Sequence, residues 1–213
     1  MRELKKIAVY GDSISTTLHG EGGYEGYLKK RFSAQVVNYA VSASGLSLAA
    51  PDNTASILAD AKNIPGDADL VIMWHGTNDW YWGSPLGRLE DKDSRTFLGA
   101  VGEAVRRIRR AAPCAAFVWL TPIYRYEAPD QGNAPGNAYE TKNKAGFTLT
   151  DYYRGILEAS VYHGFPVLDL RRECGIHAFN HSLYLEDGVH PNKAGYERII
   201  QVMERGWEAV CMP

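Results

Sequence analysis

Apolar residues along the chain occur in short, nearly unbroken runs that end at polar or glycine-containing segments. Runs of this kind, without a polar residue at every second position, are typical of parallel strands that helices cover on both faces. They predict five strands, over residues 6–10, 35–41, 69–75, 115–121 and 166–170.

Three other segments carry apolar residues at steps of three and four positions, which places these residues on one face of a helix. The positions are Phe97, Leu98, Val101, Val105, Ile108 and Ala112, then Leu149, Tyr153, Ile156, Leu157 and Val161, then Tyr196, Ile199, Ile200, Met203 and Trp207. Strands that alternate with helices predict an α/β fold with a parallel sheet, in which ligands bind beyond the carboxyl ends of the strands.

A long connection without periodicity covers residues 123–144 and contains several glycines and prolines. A loop of this length in a compact domain is usually functional or mobile. Because it follows the fourth predicted strand, we expect it to overhang the edge of the sheet where ligands bind.

Length and composition indicate one globular domain over residues 1–213, because 45% of the residues are hydrophobic. The net charge of −2 gives no basic footprint, so nucleic acid is not an expected partner. The arginine-rich segment 106–110 is interpreted as a solvated helix face rather than a polyanion site. Composition makes no prediction of the oligomeric state.

The first residues are charged, and the apolar run that follows them, 7–10, is too short for a signal peptide or a membrane span. A cytoplasmic protein without a membrane partner is therefore expected, and a secreted protein that has lost its leader is the alternative. Three widely spaced cysteines, Cys114, Cys174 and Cys211, argue against a disulfide framework and a structural zinc site.

Three polar motifs directly follow a predicted strand or precede the last helix. The first, residues 11–15 (GDSIS), follows the first strand, where a glycine turn can present the Ser13 hydroxyl and Asp12 is expected to brace the turn. The second, residues 75–79 (HGTND), follows the third strand, and the Asn78 amide can donate hydrogen bonds to an oxygen that gains negative charge. Taken singly, both are also ordinary turns or helix caps.

The third motif, residues 187–192 (DGVHPN), precedes the last helix. Its spacing allows Asp187 to accept a hydrogen bond from one ring nitrogen of His190 while the other nitrogen faces a nucleophile. The alternative is a helix-start turn with a surface histidine. His75 is interpreted as a core or supporting residue, and surface or loop roles are expected for the remaining histidines, His19, His163, His177 and His181.

In this order and spacing, GDS, GTND and DGVHPN resemble the SGNH (GDSL) hydrolase family, over residues 7–207. The resemblance implies a flavodoxin-like, three-layer α/β/α fold with five parallel strands. It also implies a serine esterase that needs no metal or cofactor. Ser13 matches the nucleophile and an oxyanion donor, Asn78 the oxyanion asparagine, His190 the base and Asp187 the residue that orients it.

The family's remaining oxyanion donor is a backbone N–H of a glycine after the second strand, and Gly45 is the match in this sequence. Ser42 and Ser44 are alternatives that could lie nearer to the site.

Aromatic residues that follow Asn78 and the fourth strand are candidates for substrate binding, since aromatic faces pack on sugar rings; loop packing is the alternative. Arg125 could pair with a substrate carboxylate, or with Glu127 or Asp130. The candidates are Trp80, Trp82, Tyr124, Arg125 and Tyr126.

The favoured function is hydrolysis of a small-molecule or carbohydrate ester, with removal of O-acetyl groups from carbohydrate as one form. Acyl transfer and thioester hydrolysis would use the same residues. A non-catalytic carbohydrate-binding domain is a further alternative, which the complete set of catalytic residue types disfavours. Lipase action is less attractive, because the sequence shows no long apolar segment or amphipathic lid.

Overall fold

A single parallel sheet of five strands organises the computed structural model, which describes residues 3–50, 55–59, 64–132 and 134–211. The strands are arranged in the order β2-β1-β3-β4-β5. This is the flavodoxin-like order of doubly wound α/β folds, so the predicted fold class is confirmed. The strands are β1 Lys6–Gly11, β2 Gln35–Asn38, β3 Leu70–Trp74, β4 Ala116–Leu120 and β5 Val167–Leu168.

Four strands are shorter than the apolar pattern predicts. β3 and β4 lose one residue at each end, whereas β2 and β5 lose three residues each because side chains end them. After β2 the Asn38 amide accepts a hydrogen bond from the Ala40 N–H (3.0 Å) and donates one to the Ser15 carbonyl (2.8 Å), which turns the chain. After β5 the Asp169 carboxylate caps the next helix by accepting from the Arg172 N–H at 3.2 Å. Residues 39–41 therefore lie in a loop, and Leu170 begins a helix.

The periodic segments form the three longest helices, as predicted. Other helices were not predicted because they are short or have little apolar surface; Leu28 is the buried residue of the first. The helices are α1 Glu25–Phe32, α2 Ser56–Ala59, α3 Thr77–Tyr81, α4 Phe97–Ala111, α5 Leu149–His163, α6 Leu170–Glu173, α7 His181–Tyr184 and α8 Lys193–Cys211.

Alternate residues of the central strands supply two separate cores, because successive side chains of a strand point to opposite faces. Ala8 and Tyr10 pack with α4 and α5 on one face, whereas Ile7 and Val9 pack with α1 and α8 on the other. Burial on both faces explains the continuous apolar runs. It also holds the polar residues that follow the strands at one rigid edge.

The long segment 123–144 is tied to that edge. Tyr126 and Asn137 form an antiparallel bridge, and the Tyr139 hydroxyl donates to the Pro122 carbonyl at 2.7 Å. Ile123 and Tyr124 are almost fully buried. These contacts make the segment part of the wall around the sheet edge.

Cys114 is exposed and Cys174 is buried, while the Cys211 side chain lies outside the described residues. Within the described ranges, no helix has the length and apolar character that a membrane crossing requires.

Candidate active site

Ser13 begins a short 3₁₀ turn directly after β1. The turn is held by Asp12, whose Oδ1 accepts from the Ile14 N–H at 3.0 Å, as the sequence predicted. Gly11 is required for the close packing here, since a Cβ at this position would lie 2.2 Å from the Ser15 hydroxyl oxygen. The tight turn leaves the Ser13 hydroxyl at the end of the central strand.

A chain of hydrogen bonds joins this hydroxyl to the motif before α8. His190 Nε2 lies 2.8 Å from Ser13 Oγ, and His190 Nδ1 lies 2.7 Å from Asp187 Oδ2. The other Asp187 oxygen accepts from the N–H groups of Val189 (2.9 Å) and His190 (2.8 Å). An imidazole placed in this way can take a proton from the serine while the carboxylate fixes its orientation.

The same contacts keep Asp187 ionised. Partial burial alone would raise its pKa, but hydrogen bonds from the His190 ring and from two backbone N–H groups hold the pKa well below its usual range. Gly188 shapes the segment, with φ of 87° and no room for a Cβ, which would lie 2.5 Å from the Tyr126 carbonyl oxygen. The carboxylate is therefore available to the imidazole throughout the physiological pH range.

A second imidazole lies flat on His190. The His19 ring is stacked on it with a centroid separation of 3.9 Å and an angle of 10° between the ring planes. His19 Nδ1 lies 3.0 Å from Glu186 Oε2, and this contact holds the His19 ring in place. His19 lies in a loop, as expected, but nothing in the spacing of the sequence marks its contact with His190.

Asn78, in α3, is buried beside the Ser13 cavity and both ends of its amide are held. Its Oδ1 accepts from Arg125 Nη1 at 3.1 Å, and its Nδ2 donates to the Ser44 carbonyl at 3.2 Å. An amide nitrogen carries two hydrogens, so one remains for a further acceptor. Arg125 thus orients the amide, a role that the sequence did not suggest.

Arg125 is itself fixed by a buried partner. It donates to Glu127 from Nε (2.9 Å) and from Nη2, and both residues are only 5% exposed. Its guanidinium also packs 4.5 Å from the centre of the Tyr81 ring. The two alternatives for a protein partner are resolved, because Asp130 pairs with Lys144 at 3.5 Å instead.

Gly45 does not line the cavity, contrary to the sequence-based expectation. A Cβ there would lie 2.6 Å from the Ala50 Cβ and 3.2 Å from Asp79 Oδ1, so the glycine faces the protein interior. Ser42 and Ala43 form the cavity wall in its place. Ala43 has a φ of 63°, a left-handed conformation that alanine seldom adopts.

These residues surround a cavity of about 370 Å³. Of the aromatic candidates, Trp82 lines it, with its Nε1 donating to the Ala43 carbonyl at 3.0 Å. Tyr81, another of the aromatic residues that follow Asn78, lines it too. The complete lining is Ser13, His19, Ser42, Ala43, Asn78, Tyr81, Trp82, Arg125, Glu127, Asp187, Val189 and His190.

The other aromatic candidates lie elsewhere. Trp80 is fully buried and its Nε1 donates to the Thr141 carbonyl at 3.2 Å, so it is a core residue. Tyr124 is 2% exposed and faces a different groove, and Tyr126 borders a small neighbouring cavity that includes Asp187. His75 is buried as predicted, and burial lowers its pKa to about 3, which keeps it neutral.

A family model described as GDSL-like Lipase/Acylhydrolase matches residues 9–198, which include all three polar motifs. The chain belongs to this family. GDSL-like lipases and acylhydrolases are hydrolases of ester bonds, so the general activity of the protein is that of an ester hydrolase.

Solved structures share the fold of this GDSL-like hydrolase over almost its whole length. One is 29% identical, with a TM-score of 0.86 and coverage of 99% of this chain and 100% of the other. A protein from Lactobacillus plantarum is 24% identical (TM-score 0.83, coverage 98% and 99%), and a lipase/acylhydrolase from Enterococcus faecalis is 17% identical (TM-score 0.60, coverage 97% and 96%). A search of the curated proteins finds no significant match.

Asp12 adds a second titratable group beside the serine of this GDSL-like hydrolase. Its carboxyl group is 1% exposed, and burial raises its pKa to about 7, although the Ile14 N–H and the positive charge of Arg125 oppose the rise. The group therefore changes charge near neutral pH. Any pH-dependent measurement of the site has to separate Asp12 from His190.

Proposed function

We propose that this GDSL-like hydrolase cleaves carboxylic esters through an acyl-enzyme on Ser13. The observation that carries the proposal is the continuous hydrogen-bonded chain from Ser13 Oγ through His190 to Asp187, with distances of 2.8 and 2.7 Å. These residue types in this geometry are what an activated serine nucleophile requires.

In the first half of the reaction, His190 Nε2 accepts the hydroxyl proton as Ser13 Oγ bonds to the ester carbonyl carbon. The carbonyl π electrons move to oxygen and form a tetrahedral oxyanion. When this collapses, the bond to the alcohol oxygen breaks and His190 returns the proton to the leaving alcohol. A water molecule then repeats the sequence on the acyl-enzyme, which releases the acid and restores Ser13.

The oxyanion is stabilised by donors that converge on the cavity. We assign the free Asn78 amide hydrogen and the backbone N–H of Ser13 to this role, together with the backbone N–H of Ala43 rather than that of Gly45. The choice of Ala43 over Gly45 is supported by the location of Ala43 in the cavity wall and by its left-handed φ, which changes the direction of the peptide group. Pre-oriented donors of this kind stabilise the charge without reorganisation.

The cavity favours a short acyl group on a polar alcohol, such as an O-acetyl group on carbohydrate. Eight of its twelve lining residues are polar or charged, and the buried Arg125–Glu127 pair offers polar contacts to hydroxyl groups. Acyl transfer to an alcohol and thioester hydrolysis remain alternatives that use the same residues. A dominant transfer product in the presence of excess glycerol would favour the transferase.

The acyl specificity provides a direct test of this proposal. Among p-nitrophenyl esters, we expect kcat/KM to be highest for acetate and to fall by about tenfold or more for octanoate, because the added methylenes would contact a lining made mainly of polar and charged residues (~1.4 kcal/mol per factor of ten). Steady-state hydrolysis is measured for acetate, butyrate and octanoate, with acetylated xylan as a carbohydrate substrate. Rates that increase with chain length would contradict the small acyl pocket.

The pH profile tests the role of His190. Only a neutral imidazole can accept the serine proton, so kcat/KM for p-nitrophenyl acetate should rise as the pH is raised from acid to neutral. Asp187 adds no ionisation above pH 5, because its pKa is held below the usual carboxyl range.

The Asp12→Asn variant is the control, since it retains an acceptor for the Ile14 N–H and removes the carboxyl group that titrates near pH 7. An ionisation that persists in this variant is that of the imidazole. A profile that becomes flat from about pH 5 to 9 in the variant would reject His190 as the base.

A further inference from the structure

A second cavity, of about 760 Å³, shares no lining residue with the Ser13 cavity. It lies at the carboxyl ends of β4 and β5. Its lining includes Tyr124, which follows β4, and Arg171, at the start of α6. In folds of this type the carboxyl ends of the strands form the edge at which ligands bind. We call this cavity the β5 groove. Its lining includes Tyr139, Arg154, Arg171, Arg172 and Phe179.

The β5 groove is positively charged although the chain as a whole has a charge of −2. Three arginines line it, against one carboxylate, that of Glu140. Arg172 is engaged by Asp169 and Glu173 at 3.7 and 3.2 Å. Within the part of the chain that the structure describes, neither Arg154 nor Arg171 forms an ion pair. The groove therefore offers two cationic groups to an anion.

Arg171 is held in a fixed orientation by aromatic rings. Its guanidinium carbon lies 4.2 Å from the centre of the Tyr139 ring and 5.8 Å from that of Tyr124. Its Nη1 donates a long hydrogen bond, of 3.5 Å, to the Ile176 carbonyl. A planar guanidinium that is stacked in this way keeps its in-plane donors for a carboxylate or phosphate, which it can bind through two parallel hydrogen bonds.

Phe179 presents an apolar ring at the margin of the same groove. Its side chain is 96% exposed, which is unusual for phenylalanine. The turn that carries it is ordered by Asn180, which accepts from the His177 N–H at 2.8 Å and donates to the Gly175 carbonyl at 2.9 Å. An aromatic face at a fixed position beside polar donors suits the C–H face of a sugar ring.

Aromatic rings also connect the groove to the Ser13 site. Tyr124 contacts His181 with a centroid separation of 5.5 Å, and His181 stacks on Tyr126 at 4.5 Å. The Tyr126 N–H donates to the Gly188 carbonyl at 2.7 Å, next to Asp187. The two cavities thus open on the same edge of the sheet.

We infer that the β5 groove binds an anionic sugar, with its carboxylate or phosphate on Arg171 and Arg154 and its ring on Phe179. The inference does not depend on the acyl-enzyme mechanism, since no residue of the Ser13 cavity takes part. A uronic acid and a sugar phosphate share the required chemistry.

Isothermal titration calorimetry with glucuronate, glucose 6-phosphate, inorganic phosphate and neutral glucose tests the inference. We expect saturable binding of glucuronate or glucose 6-phosphate, and the tighter of the two identifies the anionic group. Neutral glucose should bind at least about tenfold more weakly than the better anionic sugar, as expected for the loss of a charge-assisted contact. Inorganic phosphate that binds as tightly as either sugar would overturn the role of Phe179.

Substitutions in the β5 groove test where the sugar binds. Arg171→Met and Phe179→Ala should each raise the Kd of the tighter-binding sugar by about tenfold or more. If Arg171→Met fails to fold, Arg154→Met, at an exposed position, tests the contact with the anionic group. Arg110→Met and Tyr162→Ala, at exposed positions of α4 and α5 outside the groove, are the matched controls and should leave the affinity unchanged. Absence of saturable binding, or equal affinities in groove and control variants, would overturn the inference.

Discussion

Replacement of Ser13 by alanine is expected to lower kcat for p-nitrophenyl acetate by about 10³-fold or more. The substitution removes the hydroxyl oxygen that lies 2.8 Å from His190 Nε2, so no acyl-enzyme can form. The methyl group leaves the backbone of the turn intact. Circular dichroism and the melting temperature should therefore remain close to those of the parent protein.

Ser42→Ala is the matched control, because Ser42 lines the same cavity but is not the serine that His190 contacts. We expect this variant to retain activity within about tenfold of the parent. Labelling with a fluorophosphonate should occur in the parent protein and in Ser42→Ala, and should be lost in Ser13→Ala. If Ser13→Ala is folded and still hydrolyses the ester at a comparable rate, the acyl-enzyme proposal is wrong.

Substitution of Asn78 is expected to have the next largest effect. Asn78→Ala should lower kcat by roughly 10²–10³-fold with little change in KM, because the amide hydrogen acts on the oxyanion and not on the ground-state ester. The variant also removes the Asn78 Oδ1 acceptor, 3.1 Å from Arg125 Nη1, which still donates to the Thr77 hydroxyl at 3.1 Å. Steady-state kinetics with p-nitrophenyl acetate measure the two constants separately.

Asn78→Asp separates the lost donor from the lost volume. This variant keeps the size of the side chain and the acceptor for Arg125, but when ionised it cannot donate to an oxyanion. We expect a loss in kcat as large as that of Asn78→Ala. Recovery of kcat in Asn78→Asp, or an effect confined to KM in either variant, would reassign Asn78 to shaping the cavity or to ground-state binding.

The fold could be predicted from the sequence because burial on both faces leaves a plain signal. All of β3, Leu70–Trp74, is buried, and its sequence is an unbroken apolar run. The bounds of β2 and β5 could not be predicted in the same way, since they depend on where Asn38 and Asp169 direct their side-chain hydrogen bonds. Such local competition is not visible in the periodicity of apolar residues.

Backbone geometry decides which of the aromatic candidates face the cavity. Asn78, Tyr81 and Trp82 are three and four residues apart, so they share the cavity face of α3 and the turn after it, whereas Trp80 points to the core. Arg125 and Glu127 line the cavity at alternate positions of an extended segment. The intervening residue, Tyr126, faces His181 instead.

The position of Ala43 shows a limit of a different kind. The family resemblance implies a glycine as the remaining oxyanion donor, and Gly45 was its match in this sequence. In the structure, the left-handed conformation that glycine favours occurs at Ala43, in the cavity wall. Likewise, the stacking of His19 on His190 joins residues that are remote in sequence, and no local pattern encodes it.

The wide separation of Ser13 and His190 also affects when the protein becomes competent during synthesis. The two residues are 177 positions apart, so the serine strand is synthesised well before the imidazole. His190 is made only after β3, β4 and β5, because it precedes α8. A nascent chain therefore carries Ser13 without its imidazole until these strands have been made, and the hydrogen-bonded pair can form only when the segment before α8 docks against the sheet.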